Sequence, residues 1–228
     1  MSKYLIVNGD DFGYSPGVSD GIVEAHEHGI LTSTSMLVGT RFGAAAAQRA
    51  RALPDLSVGL HVCLTDTGER FTVNPDDTKS CRSELRRQFD RFVELMETAP
   101  THLDSHHNVH RDPRLEPLFL ELAEEHSLPL REHSVVRYFP SFYGQWKGET
   151  HLEQIGAEML ERMLRTEIAE GLTELGCHPG YVDEHLDSSY SLERETELHT
   201  LCAPSVRPVL DELAIRLISF RDLPALVS

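Results

Sequence analysis

Short apolar runs alternate with amphipathic segments along almost the whole chain, and this alternation leaves few folds open. The first run, Tyr4-Leu5-Ile6-Val7, is brief and branched, as suits a strand buried on both faces. A helix is expected over 17–28, stopped by Gly29, and a second strand over 31–38. An alanine-rich helix over 42–53 ends at Pro54 and leads to a third strand over 56–61. Residues 65–80 are polar and turn-rich, which marks a loop. Over 82–97, Leu85, Phe89, Phe92, Val93 and Met96 share one side of a helix. Strands are expected over 101–104, 129–131, 172–177 and 215–220, with helices over 113–126, 155–168, 192–201 and 204–213. Strands that alternate with helices build a mostly parallel sheet covered by helices. The expected fold is therefore α/β: one domain over 1–228, shaped as an incomplete or distorted TIM-type (β/α) barrel.

Composition removes several alternatives. With 21 basic and 37 acidic residues the chain carries 21 − 37 = −16, which argues against nucleic acid or an anionic membrane as partner. Hydrophobic residues make up 40%, enough for a core, so disorder is not expected. The four cysteines, Cys63, Cys81, Cys177 and Cys202, form no CxxC pair and support neither a zinc knuckle nor a disulfide framework. Reduced thiols in a cytoplasmic protein are the simplest reading. The apolar run before Asn8 is too short for the core of a signal peptide, and no run approaches the ~20 residues of a membrane span.

The functional signal is positional. Sites in parallel α/β folds collect at the carboxyl ends of strands. Asp10 and Asp11 follow the first strand, His61 the third, Asp104-Ser105-His106-His107-Asn108-Val109-His110 the fourth, and His178 follows Leu175-Gly176-Cys177. Four strands thus aim a carboxylate or an imidazole at one face. The bland reading of Asp10-Asp11 is a turn capping the helix near Pro16. For His61 it is a buried, hydrogen-bonded core histidine. The other histidines of helices and polar loops read as solvated.

Side chains alternate on extended backbone, so Asp10 and Asp11 should point in different directions, one to a metal and one to a proton. Asp104 and His106 should share a face. Asp104 either orients a neighbouring ligand or satisfies backbone donors, and His107 and His110 line the pocket or support its loop. Asp11, His61 and His106 would make a one-carboxylate, two-histidine site for a divalent ion, with positions left open for water and substrate. Asp10 would act as base and His178 as the acid that protonates a leaving amine, the parts amide hydrolysis requires.

Several blocks resemble one family. Asn8-Gly9-Asp10-Asp11-Phe12-Gly13, Gly59-Leu60-His61, Thr101-His102-Leu103-Asp104-Ser105-His106-His107 and Cys177-His178-Pro179-Gly180 are similar to the signature blocks of the YdjC/ChbG-like carbohydrate deacetylases. Thr32-Ser33-Thr34, Phe142-Tyr143-Gly144 and Ser219-Phe220-Arg221-Asp222 extend the resemblance over nearly the whole chain in order. It implies a barrel-like fold and metal-dependent removal of acetyl groups from N-acetylated sugars such as chitooligosaccharides. It further implies a divalent ion, usually magnesium, on Asp11, His61 and His106, with Asp10 as base, His178 as acid, and a homodimer. Two departures stand out. Asn108 occupies a position where members commonly carry histidine, and the stretch 65–80 is short for a family in which this region shapes the sugar cleft. Tyr143 and Trp146, in the aromatic stretch 138–146, fit sugar stacking, and equally core packing or a dimer contact. Magnesium rarely takes two imidazoles, so zinc or another transition ion suits the donor set better.

Two other function classes compete with the deacetylase. A metal phosphoesterase could use an aspartate–histidine site, but no P-loop is present and Arg131 is the only barrel-associated arginine placed to clamp a phosphate. A non-catalytic metal- or sugar-binding module would need neither Asp10 nor His178.

Overall fold

In the computed structural model, which describes residues 2–227, the sheet is built around its first strand. β1 (Lys3–Phe12) is buried from Leu5 onward. α1 (Pro16–Glu27) starts where Ser15 accepts from the Val18 amide and proline opens the first turn. β2 (Ser33–Met36), α2 (Gly43–Arg51) and β3 (Ser57–Val62) follow the expected alternation. α3 (Thr78–Met96) begins inside the expected loop, because Asp77 caps it by accepting from Ser80 N at 3.1 Å. Its polar first turn hides that start from any apolar periodicity. β4 (Leu103–Ser105), α4 (Glu116–Glu125) and β5 (Arg137–Phe139) come next. The expected strand over 129–131 is reduced to one bridge, Leu103 with Leu130.

In the aromatic stretch, β6 (Gln145–Trp146) and β7 (Glu149–Thr150) form a small antiparallel hairpin. Its turn residues, Lys147 and Gly148, have φ of 55° and 76°, as a twist-matched two-residue hairpin turn requires. The chain ends with α5 (Ala157–Thr166), β8 (Gly171–Cys177), α6 (Leu192–Leu201), α7 (Val206–Glu212), β9 (Ile215–Leu217) and α8 (Leu223–Leu226).

The main sheet has seven strands in the order β4-β3-β2-β1-β8-β5, with β9 paired to the start of β1. Every pairing in it is parallel. β4 and β5 do not pair, so the sheet curls into an incomplete barrel with helices packed around it. Alternation along β1 sorts side chains between two environments. Leu5 and Val7 join the main core with helix residues such as Ile22, Phe92 and Leu198. Fully burying such a side chain contributes roughly 1.5–3 kcal/mol. Ile6 faces the other way, into a second apolar cluster with Val136, Phe220 and Leu223. Asn8 and Asp10 share the Ile6 side, so the barrel interior turns from apolar to polar along a single strand. Small residues make room there: a Cβ on Gly59 would lie 2.4 Å from the His102 ring.

Candidate active site

The carboxyl ends of the strands open on a cavity of about 430 Å³. Asp10, Asp11, His61, His106 and His178 all line it, together with Tyr143 and Asn108. Trp146 does not reach it. Its indole lies flat on the His151 ring, with centroids 3.6 Å apart, and is 42% exposed. His107 and Asn108 have φ of 54° and 51°, and this left-handed pair coils the chain directly after His106. His107 lines the cavity and meets Thr65 Oγ1 at 2.8 Å. His110 is fully buried against Ser105 at 2.7 Å and so supports the loop.

Strict alternation does not separate Asp10 from Asp11. The register of β1 against β2 slips between Gly9 and Phe12, and Asp11 takes φ of 71°. Aspartate tolerates that left-handed conformation better than most residues. The bulge turns both carboxylates into one cavity instead of onto opposite faces of the sheet.

Asp11 presents its two oxygens differently. Oδ2 accepts from Arg194 Nη2 at 2.6 Å. Oδ1 lies 2.8 Å from His106 Nδ1 and 3.3 Å from His61 Nε2, yet makes no hydrogen bond. A buried carboxylate oxygen without a hydrogen-bond partner is costly. Two ring nitrogens converge on it, so these three donors could hold a divalent cation. His61 is tethered behind by Asp104, whose Oδ1 is 2.7 Å from Nδ1. Burial disfavours charge on the His61 ring, but Asp104 overrides it and lifts the proton affinity well above the usual histidine range. Burial likewise opposes the Asp11 charge, and His106 with Arg194 nonetheless holds that carboxyl well below its usual range. The pocket thus demands positive charge, which an ion or a proton can supply. Asp10, His61 and Asp104 also approach one another, but Arg131 already bridges the two carboxylates.

Arg131 is 3% exposed and faces inward. It grips Asp10 through Nη1–Oδ2 at 2.7 Å and Nη2–Oδ1 at 2.8 Å. It also reaches Asp104 Oδ2 at 2.8 Å and Glu174 Oε1 at 2.6 Å. Burial would raise Asp10, but Arg131 outweighs it and keeps the carboxyl ionised. Glu174, deeper in the barrel, is pushed up to about 7 by burial. Asp10 Oδ2 stands 3.9 Å from His178 Nε2. Burial lowers His178 to about 4, so the ring is neutral near pH 7.

Helix α6 supplies residues that strand-end reasoning does not reach. Glu197 accepts the His178 amide and the Tyr190 hydroxyl. Tyr190 Oη in turn accepts from Gly144 N at 2.9 Å, and its ring stacks on Tyr143 with centroids 4.7 Å apart. Glu193, Arg194 and Glu197 are all buried. The one hint of this in the sequence is a helix with too few apolar residues for its length.

Residues 4–212 match the family described as YdjC-like protein. A chitooligosaccharide deacetylase of Serratia marcescens is 35% identical over 261 aligned positions, which cover 98% of this chain and 100% of the relative. A carbohydrate deacetylase of Geobacillus stearothermophilus is also 35% identical, over 97% of this chain and 98% of its own. Among solved structures, a suggested cellobiose-phosphate cleavage protein of Enterococcus faecalis V583 superposes with a TM-score of 0.81 at 29% identity, over 98% of this chain and 99% of that one.

Proposed function

Because the chain belongs to the YdjC-like protein family, we propose that it is a metal-dependent carbohydrate deacetylase acting on N-acetylated sugars. The observation that carries this reading is the convergence of the His61 and His106 ring nitrogens on Asp11 Oδ1, beside an ionised Asp10. A divalent ion held by Asp11, His61 and His106 would supply Lewis acidity toward the amide carbonyl and the attacking water. The mixed oxygen and nitrogen donors suit zinc, cobalt or another transition ion better than magnesium.

The residues of the chain divide the proton work. Asp10 carries negative charge and is held in one orientation by Arg131, so it takes the proton of the attacking water. His178 starts neutral, so it has no stored proton from solvent to deliver. The proton it gives to the leaving nitrogen is the one Asp10 removed; Oδ2 and Nε2 stand 3.9 Å apart, beyond direct hydrogen-bond reach, so a bridging water carries it between them. The C–N bond breaks, and acetate and a free amine result. Tyr143 forms a wall of the cavity edge-on to His178, with ring centroids 5.8 Å apart, and Asn108 stands at the same cavity. Both are proposed sugar contacts, whereas Trp146 spends its face on His151.

The phosphoesterase alternative loses its anchor, since Arg131 is occupied by three carboxylates. A binding module has no need for an arginine-fixed Asp10 beside His178. Acetate release from di-N-acetylchitobiose, measured beside phosphate release from p-nitrophenyl phosphate, tests the reading. Acetate release that depends on added metal supports it; phosphate release without acetate overturns it.

A further inference from the structure

The cation beside Asp11 comes from a helix, not from a strand end. Arg194 Nη2 is 2.6 Å from Asp11 Oδ2, and the two side chains are 3% and 1% exposed. The same guanidinium donates through Nε to the Tyr190 carbonyl at 3.1 Å and through Nη1 to the His178 carbonyl, a long contact of 3.4 Å. Three residues further along α6, Glu197 accepts the His178 amide. The main chain of His178 is therefore held on both sides from one helix face. A planar fork directs its Nε, Nη1 and Nη2 donors at separated acceptors, here a carboxylate and two carbonyls, which a single ammonium nitrogen does less readily.

We infer that Arg194 is a positioning residue that ties the Asp11 carboxylate to the main chain carrying His178. By occupying Oδ2 it leaves Oδ1 alone to face His61 and His106. By anchoring on Tyr190 and His178 it keeps the two halves of the site in register. This inference rests on the metal-centre reading above.

A direct charge effect of Arg194 on the ion would have the opposite sign, and Arg194→Lys, which keeps the charge that helps ionise Asp11, separates that support from positioning. The guanidinium repels a divalent ion, so its removal would strengthen metal binding on charge alone. A positioning role makes removal weaken binding, by about 10–100-fold for a group that orients a metal ligand. The test is calorimetric titration of cobalt(II) into metal-free wild type, Arg194→Met and Arg194→Lys. Methionine is expected to lower the affinity by about tenfold or more. Lysine keeps the charge but lacks the fork, and is expected to bind more weakly than wild type as well. Equal or tighter binding by Arg194→Met overturns the inference, as does wild-type affinity in Arg194→Lys. A crystal structure of cobalt-loaded wild type decides the matter should the variants not fold. Arg194 on Oδ2 with the ion on Oδ1 supports it; an ion on both oxygens with Arg194 released overturns it. Failure of wild type to bind cobalt, or undiminished binding by Asp11→Asn, would instead refute the metal-centre reading.

Discussion

Asp104 Oδ1 lies 2.7 Å from His61 Nδ1, and neither side chain is more than 2% exposed. Burial would raise Asp104, but Arg131 and His61 hold it far below the usual carboxylate range, so it is ionised and can only accept. In the neutral ring that metal ligation requires, the hydrogen therefore sits on Nδ1, and Nε2 is the nitrogen turned toward Asp11. Asp104→Asn offers an amide that can donate to Nδ1 and reverse the tautomer. Zinc affinity is expected to fall about 10–100-fold. A calorimetric titration that finds it within threefold of wild type would remove Asp104 from the support of this ligand.

Asp10 and Asp11 are expected to separate cleanly on mutation. Asp11→Asn weakens metal binding, because it loses the charged oxygen on which the two rings converge. Asp10→Asn keeps the metal and lowers turnover by roughly 10²–10⁴-fold, the range for loss of a general base. Metal content by mass spectrometry, measured beside acetate release, checks both. Equal metal loss in the two variants would contradict the division.

Glu197 sets a pH dependence of stability. Burial pushes its carboxyl up to about 8, from an ordinary value of 4.5. The folded state thus holds this proton more tightly than the unfolded chain does. The stabilisation is complete below pH 4.5 and is lost as pH rises through about 8. On the order of a few kcal/mol is involved. Glu197→Gln, which cannot ionise, is expected to show a flatter stability curve than wild type between these limits. Chemical denaturation of the metal-free proteins across that range compares them, and parallel curves would refute the assignment.

Tyr143 and Trp146 are neighbours in sequence with different surroundings. Tyr143→Ala removes a cavity wall, and loss of one stacking surface corresponds to a KM increase of roughly 2–10-fold. Trp146→Ala removes a ring already stacked on His151 and is expected to leave KM unchanged. Steady-state kinetics on di-N-acetylchitobiose distinguishes the two. A larger effect at Trp146 would move the sugar contact to the hairpin.

Much of this architecture was legible in the sequence, because strand ends carry their own markers. The parallel order follows from the alternation of apolar runs and helices, and Asp11, His61 and His106 each stand at the end of such a run. Other features were not legible. The bulge at Asp11 depends on β2 lying alongside, a relationship that periodicity within one strand cannot express. Arg131 and Glu174 meet across 43 positions of chain, and Arg194 meets Asp11 across 183. Contacts of that span leave no local pattern. Charged residues such as Glu193, Arg194 and Glu197 read as solvated until the fold shows what they face.

The bulge in β1 has a mechanical consequence. Because it turns consecutive residues into the same cavity, the carboxylate proposed to face an ion and the one proposed to take the proton are joined by a single peptide unit, about 3.8 Å between α-carbons. That α-carbon spacing is covalent, whereas the direction in which the two carboxylates point is held by the bulge against β2. His106 and His178 arrive on other strands, and their distances to this pair last only while strand pairing lasts. Under thermal or denaturant stress, loss of β1–β2 pairing alone should therefore scatter the two carboxylates, even while β3–β4 and β1–β8 still hold the histidine-bearing strand ends.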